Sequence, residues 1–78
     1  MMTITFYDND GYIYEADVTY AYDLLPVGDR SYRTLVVDVD EVRAATEDDG
    51  WEVVAMHPWM ESRAYAEVEH RLARTRVA

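Results

Sequence analysis

From Tyr12 to Tyr22 every second residue is apolar or aromatic (Tyr12, Tyr14, Ala16, Val18, Tyr20, Tyr22), and the positions between include Glu15, Asp17 and Thr19, with Asp23 next. A period of two predicts a β-strand with one buried face and one face bearing carboxylates. Thr3 to Tyr7 alternates in the same way, with Ile4 and Phe6 on one side, and runs into Asp8-Asn9-Asp10-Gly11, residues suited to a hairpin turn. A strand over Tyr12 to Asp23 would span about 40 Å at about 3.3 Å per residue, long for so small a domain. This predicts a bend or bulge near Ala16 to Thr19, or an overhanging end. Leu24 to Ser31 reads as a loop whose Leu and Val either tuck inward or form an exposed contact.

Tyr32 to Val37, rich in β-branched and aromatic residues, predicts a third strand. Asp38 with Glu41 three positions on has the pattern of a capping box. Val39, Val42 and Ala45/Thr46 would then share one face of a short helix, closed by Gly50 as its left-handed C′ residue. Trp51 to Met56 reads as a strand broken by His57-Pro58. Ser62 can cap a final helix with Tyr65, Val68 and Leu72 along one side and Glu67 paired with Arg71, and Thr75 to Ala78 is expected to fray. The resulting expectation is one α+β domain over residues 1–78, of order β-β-β-α-β-α: a mainly antiparallel sheet with two helices packed on one face. The segment from the third to the fourth strand is near the minimum length for a parallel crossover.

At 78 residues such a domain buries only about 60% of its unfolded surface. The chain has no Cys, so neither disulfides nor thiolate metal sites can supplement the core, which falls to seven Tyr, two Trp and one Phe. No signal peptide or membrane-spanning run is legible. Lys is absent, which excludes lysine Schiff-base and lysine phosphate-binding chemistry. The formal charge is −9, and fourteen of the sixteen Asp/Glu but only three of the seven Arg lie within residues 1–61. An acidic field repels nucleic acid and anionic membranes and favours basic surfaces; such charge also serves solubility alone.

Asp8-Asn9-Asp10-Gly11-Tyr12-Ile13 resembles half of a calcium-binding EF-hand loop, with Asp17 at the closing position. Phe6 would occupy the first ligand position, however, and the flanks read as strands, so a hairpin turn is the better reading. His57 and His70 have no metal-ligand spacing, Ser31 and Ser62 suit a loop and a cap, and the three glycines stand alone. The residues therefore predict no catalytic group, no metal site and no cofactor, and hence no enzyme. Tyr12, Tyr14, Tyr20 and Tyr22 could stack on bases, but the charge has the wrong sign, and a buried face or a tyrosine-rich protein interface fits better. Trp59 with Met60 is a second possible anchor or a cap on the core.

Glu15 and Asp17, two apart on one strand face, lie roughly 6.6 to 6.8 Å apart along the strand, of the order of the spacing between phosphates on a nucleic-acid backbone. With Asp23, Asp38, Asp40, Glu47, Asp48 and Asp49 they form an array suited to an Arg/Lys groove built for phosphates. In size, acidity and lack of a catalytic motif the chain resembles small phage-encoded inhibitors of bacterial defence, the anti-CRISPR and anti-restriction proteins that mimic DNA. That resemblance implies a cytoplasmic protein of a bacterial host that blocks a basic nucleic-acid-binding protein or complex, without itself binding nucleic acid or membrane. Val42 through Val54, ending Gly50-Trp51-Glu52-Val53-Val54, is also similar to the helix-Gly-Trp-Glu-strand unit of a small uncharacterised bacterial family and implies no activity. The alternative reading is a structural or protein-interaction module, monomeric or homodimeric, pairing through an exposed sheet edge or the Tyr/Trp surface, with an overhanging second strand as the open edge. A third is a small-molecule binder using an aromatic pocket between sheet and helices.

Overall fold

The computed structural model describes residues 1–75. Over these residues four strands, β1 (Met2–Tyr7), β2 (Ile13–Val27), β3 (Arg30–Ala45) and β4 (Trp51–Val54), precede one helix, α1 (Pro58–Thr75). The strands form an antiparallel sheet in sequence order. The helix packs on one face of it, called inner below.

The expected order β-β-β-α-β-α is therefore wrong, because the segment expected to form the first helix is the second half of β3. Its inner-face residues Leu35, Val37 and Val39 follow a period of two. The register then shifts opposite Asp17/Val18: Asp17 faces Glu41 and Val18 faces Val39, leaving Asp40 as an extra residue on β3. The bulge brings Val42 back to the inner face three positions after Val39. A spacing of three is also what a helix shows, so bulge and helix produce the same local pattern. Asp38 and Glu41 are thus strand residues and cap nothing. At the turn into β4 the left-handed residue is Asp49 (φ 63°), not Gly50, and the Gly50 N–H donates to Thr46 Oγ1 at 3.1 Å.

The expected loop Leu24 to Ser31 is likewise strand, closed by the two-residue turn Gly28-Asp29. Gly28 has φ 65° while Asp29 is not left-handed, which places the residue without a side chain where a type II′ hairpin turn needs it. The strand is over before His57-Pro58, and Pro58 in addition opens α1: the N–H groups of Met60 and Glu61 donate to the carbonyl of His57, so Pro58 sits at the first helical position, where its missing N–H is no loss. Ser62 is accordingly inside the helix, its hydroxyl donating to the Pro58 carbonyl at 3.4 Å. Arg71 donates to the Thr3 carbonyl at 2.9 Å. Thr75 is the last described residue of α1, and the rest of the expected frayed end lies outside the described residues.

The core is the layer between sheet and helix: Ile4 and Phe6 from β1, Ala16 and Val18 from β2, Val42 from β3, and Met60, Ala64 and Val68 from α1. Val68 and Leu72 lie on the packing face as expected, but Met60 and Ala64 complete it, and Tyr65 is exposed. Phe6 stacks on Tyr14 at 5.5 Å, and Trp59 meets both rings edge-on, the arrangement aromatic quadrupoles favour.

Candidate functional site

The outer face of the sheet has no second layer, and its centre is ionic. Arg43 on β3 donates through Nε to Glu15 Oε1 at 2.7 Å and through its two terminal nitrogens to the two oxygens of Asp17 at 3.0 Å each. Glu41 Oε2 stands 3.4 Å from Nη1, and Thr3 Oγ1 donates to Asp17 Oδ1 at 3.0 Å. Direct cross-strand pairing of Glu15 with Arg43 and of Asp17 with Glu41 builds this cluster. Bonds from Arg43 and then Thr3 hold the Asp17 carboxyl below its ordinary value, and the two carboxylates, Asp17 foremost, raise Arg43 in turn. The Arg43 side chain is 18% exposed, so Glu15 and Asp17 present a partly compensated centre to solvent, one of their two charges being offset, instead of two bare charges. The lone Arg in Glu41-Val42-Arg43 was the available signal for this, but it reads correctly only once residues 41 to 43 are strand.

The other expected contact residues are dispersed. Asp38 and Asp23 lie farther along the outer face, opposite Thr19 and Thr34, and Asp40 is the bulge residue. Glu47, Asp48 and Asp49 occupy the turn before β4 at the opposite end of the sheet. No single face gathers all eight carboxylates.

Beyond the bulge β2 and β3 leave the body. The last β1 row pairs Met2 with Val18, and β4 reaches only Val42 to Ala45, so among the described residues the two strands have only each other as sheet neighbours from Thr19↔Asp38 to Val27↔Arg30. The ribbon lengthens the molecule to 54 Å against 30 and 23 Å in the other directions. Helix α1 follows it as far as Tyr22 and Leu35, which border a shallow cleft with Glu69 and Leu72. Past that row the arm is bare: Leu24 is 70% exposed, Leu25 54%, Val27 55% and Tyr32 51%. Two-stranded ribbons are marginal in water by themselves, and apolar side chains on both faces of an exposed tip mark a contact surface. The overhang was among the expectations from strand length, and an exposed contact was one of two readings of the Leu and Val in Leu24 to Ser31, but their place in a strand was not expected; the missed signal is Gly28-Asp29, a two-residue hairpin turn pattern. Residues 23–34 also hold two Asp and two Arg, so the tip is charge-balanced within an acidic chain.

A cleft of about 680 Å³ lies at the other end, between the β1–β2 turn and the start of α1, bordered by Asp8, Asp10, Tyr14, His57, Trp59 and Arg63. Its most ordered polar group serves the fold. Asp8 Oδ1 accepts the N–H groups of Asp10 and Tyr12 at 2.9 Å each, and Oδ2 accepts the Tyr14 hydroxyl at 3.1 Å. Desolvation pushes the Asp8 carboxyl up, but these bonds outweigh it and leave it lowered; desolvation and then Asp8 raise Tyr14. This is the hairpin turn expected of Asp8 to Gly11, with Gly11 at φ 87°. Among the described residues no three His, Asp or Glu stand together as metal ligands, and no helix is long and apolar enough to cross a membrane. Compared with models of protein families, with curated proteins and with solved structures, the chain matches none.

Proposed function

We propose that the protein is a non-catalytic protein-interaction module whose contact element is the β2–β3 arm. The observation that carries this reading is the bare tip: Leu24, Leu25, Val27 and Tyr32 lie on the ribbon past the last row that α1 borders and beyond the pairing of β1 and β4. Burying such side chains contributes about 25 cal/mol per Å² of apolar surface, and among the described residues they stay half or more exposed. The test is a paired binding experiment with the double variant Leu25→Lys/Tyr32→Lys, whose sites are exposed and leave the core untouched. The wild type is expected to hold its partner, a second copy included, and the variant to release it with an unchanged melting temperature. Equal retention by both forms would place the contact elsewhere.

A second reading, an acidic inhibitor in a bacterial cytoplasm that occupies the phosphate-binding surface of a nucleic-acid-handling protein, is favoured by the charge of −9 and by Asp23, Asp38 and Asp40, which carry no ion pair among the described residues. Arg43 fixes Glu15 and Asp17 by hydrogen bonds and offsets one of their two charges, which weakens the best-spaced part of that array, so the arm takes precedence. Competition by duplex DNA for a captured partner separates the two, since an arm contact through Leu25 and Tyr32 is indifferent to it.

A further inference from the structure

We infer that the arm's partner is a second copy of this chain, joined antiparallel through the open edge of β3 about a two-fold axis that places Thr34 opposite Thr34. The inference rests on the reading of the arm as the contact element and specifies what pairs with its open edge.

Hydrogen-bond alternation selects the edge. A two-residue turn makes Val27↔Arg30 a hydrogen-bonded pair, and such pairs alternate along an antiparallel ladder. The β3 groups bonded to β2 are then those of Arg30, Tyr32, Thr34, Val36 and Asp38, while the N–H and C=O of Ser31, Arg33, Leu35 and Val37 point out of the sheet. On β2 the outward positions are Tyr20, Tyr22, Leu24 and Pro26, and Pro26 has no N–H. One edge of the ribbon thus offers an unbroken series of donors and acceptors and the other is interrupted by proline, the usual guard against strand addition.

Register follows from sterics and charge. A two-fold axis normal to a sheet pairs residues of the same face. With Thr34 on the axis, Tyr32 faces Val36 of the second copy and Arg30 faces Asp38 of the second copy, each twice. Ser31 with Val37 and Arg33 with Leu35 become hydrogen-bonded pairs, giving about eight backbone bonds over roughly 30 Å of strand. A shift of two residues inward would set Gly28 against Val42 of the second copy, where Val54 of that copy's β4 is already bonded. The opposite shift sets Arg30 against Val36 and loses both ion pairs. Only the Thr34 register both clears β4 and pairs the charges. It also seats the Gly28-Asp29 turn beside Asp40 and the exposed Met56 of the second copy, which flank one shallow hollow. The balanced charge of residues 23–34 lets two acidic bodies meet where repulsion is weakest.

Sedimentation equilibrium from micromolar to millimolar protein tests this directly. The expected result is a mass rising from 9.1 kDa to twice that. Arg30→Asp and Asp38→Arg, both at exposed strand positions, should each weaken association on the order of tenfold, and the double exchange should restore it. Amide exchange at high concentration should slow at Ser31, Arg33, Leu35 and Val37. A mass of 9.1 kDa throughout overturns the inference, as does a dimer in which the exchanged pair shows no rescue. If the monomer persists while Leu25→Lys/Tyr32→Lys still abolishes capture of another protein, self-pairing fails and the arm reading survives.

Discussion

Arg43 sets the electrostatics of the outer face because one guanidinium fork meets carboxylates from two positions of the neighbouring strand. Asp17 is the member of this set whose titration should be visible. Its folded-state pKa lies below the ordinary value of 3.8, so the carboxylate form is favoured by folding. The resulting stability is present above that value and is lost as pH falls through the lower folded value. The melting temperature of the wild type should therefore drop as pH falls below about 5 and on through the lowered folded value. Asp17→Asn should start lower near neutrality and change less over the same range, and parallel pH profiles would show that the Arg43 cluster contributes nothing. Asp8, lowered by its turn bonds, titrates in the same direction and supplies an acid-sensitive part that the Asp17 variant keeps.

Secondary structure was most legible where apolar alternation ran unbroken. The first strand, the turn at Asp8 to Gly11 and the inner face of β2 follow from period two and turn chemistry alone. Where a bulge interrupted the period, at Val39 to Val42, the sequence carried a helical spacing inside a strand, and pairing with β2 decided the matter. Pro58 was legible as the end of a strand but not as the start of α1, because proline both ends strands and opens helices. The arm depends on its turn. Gly28 has φ 65°, and no atom lies within 4 Å of the point where a Cβ would stand, so Gly28→Ala would cost backbone strain without a clash. A loss of about 1 kcal/mol is expected, read as a lower urea midpoint with an unchanged slope. A neutral result would mean that the hairpin turn makes no net contribution to folding.

At the scale of the whole molecule the chain is a two-layer body with a projecting ribbon, held by eight buried apolar residues and carrying a charge of −9. Self-repulsion of that charge opposes compactness. Raising ionic strength from about 0.01 to about 0.15 M shortens the screening length from about 30 to about 8 Å, so the melting temperature should rise over this range. A fall would show that local pairs such as Arg43 with Glu15 and Asp17 outweigh the long-range field. The eight carboxylates expected to act together are spread over the bulge, both ends and the outer face, because strand direction, unlike a helix, carries successive residues apart by about 3.3 Å each.

Composition and alternation by themselves determined a small acidic chain with a strand bearing carboxylates on one face, a hairpin at Asp8 to Gly11 and a C-terminal amphipathic helix. These are properties of neighbouring residues: side-chain period, turn preference and net charge. Only the tertiary structure decided that Asp38 to Ala45 is strand, that Arg43 ties Glu15 and Asp17 together, and that Leu24 to Tyr32 forms a bare ribbon tip. Each of those outcomes depends on which strand lies alongside which and where the pairing of β1 and β4 stops, and pairing between distant segments leaves no local mark in the chain.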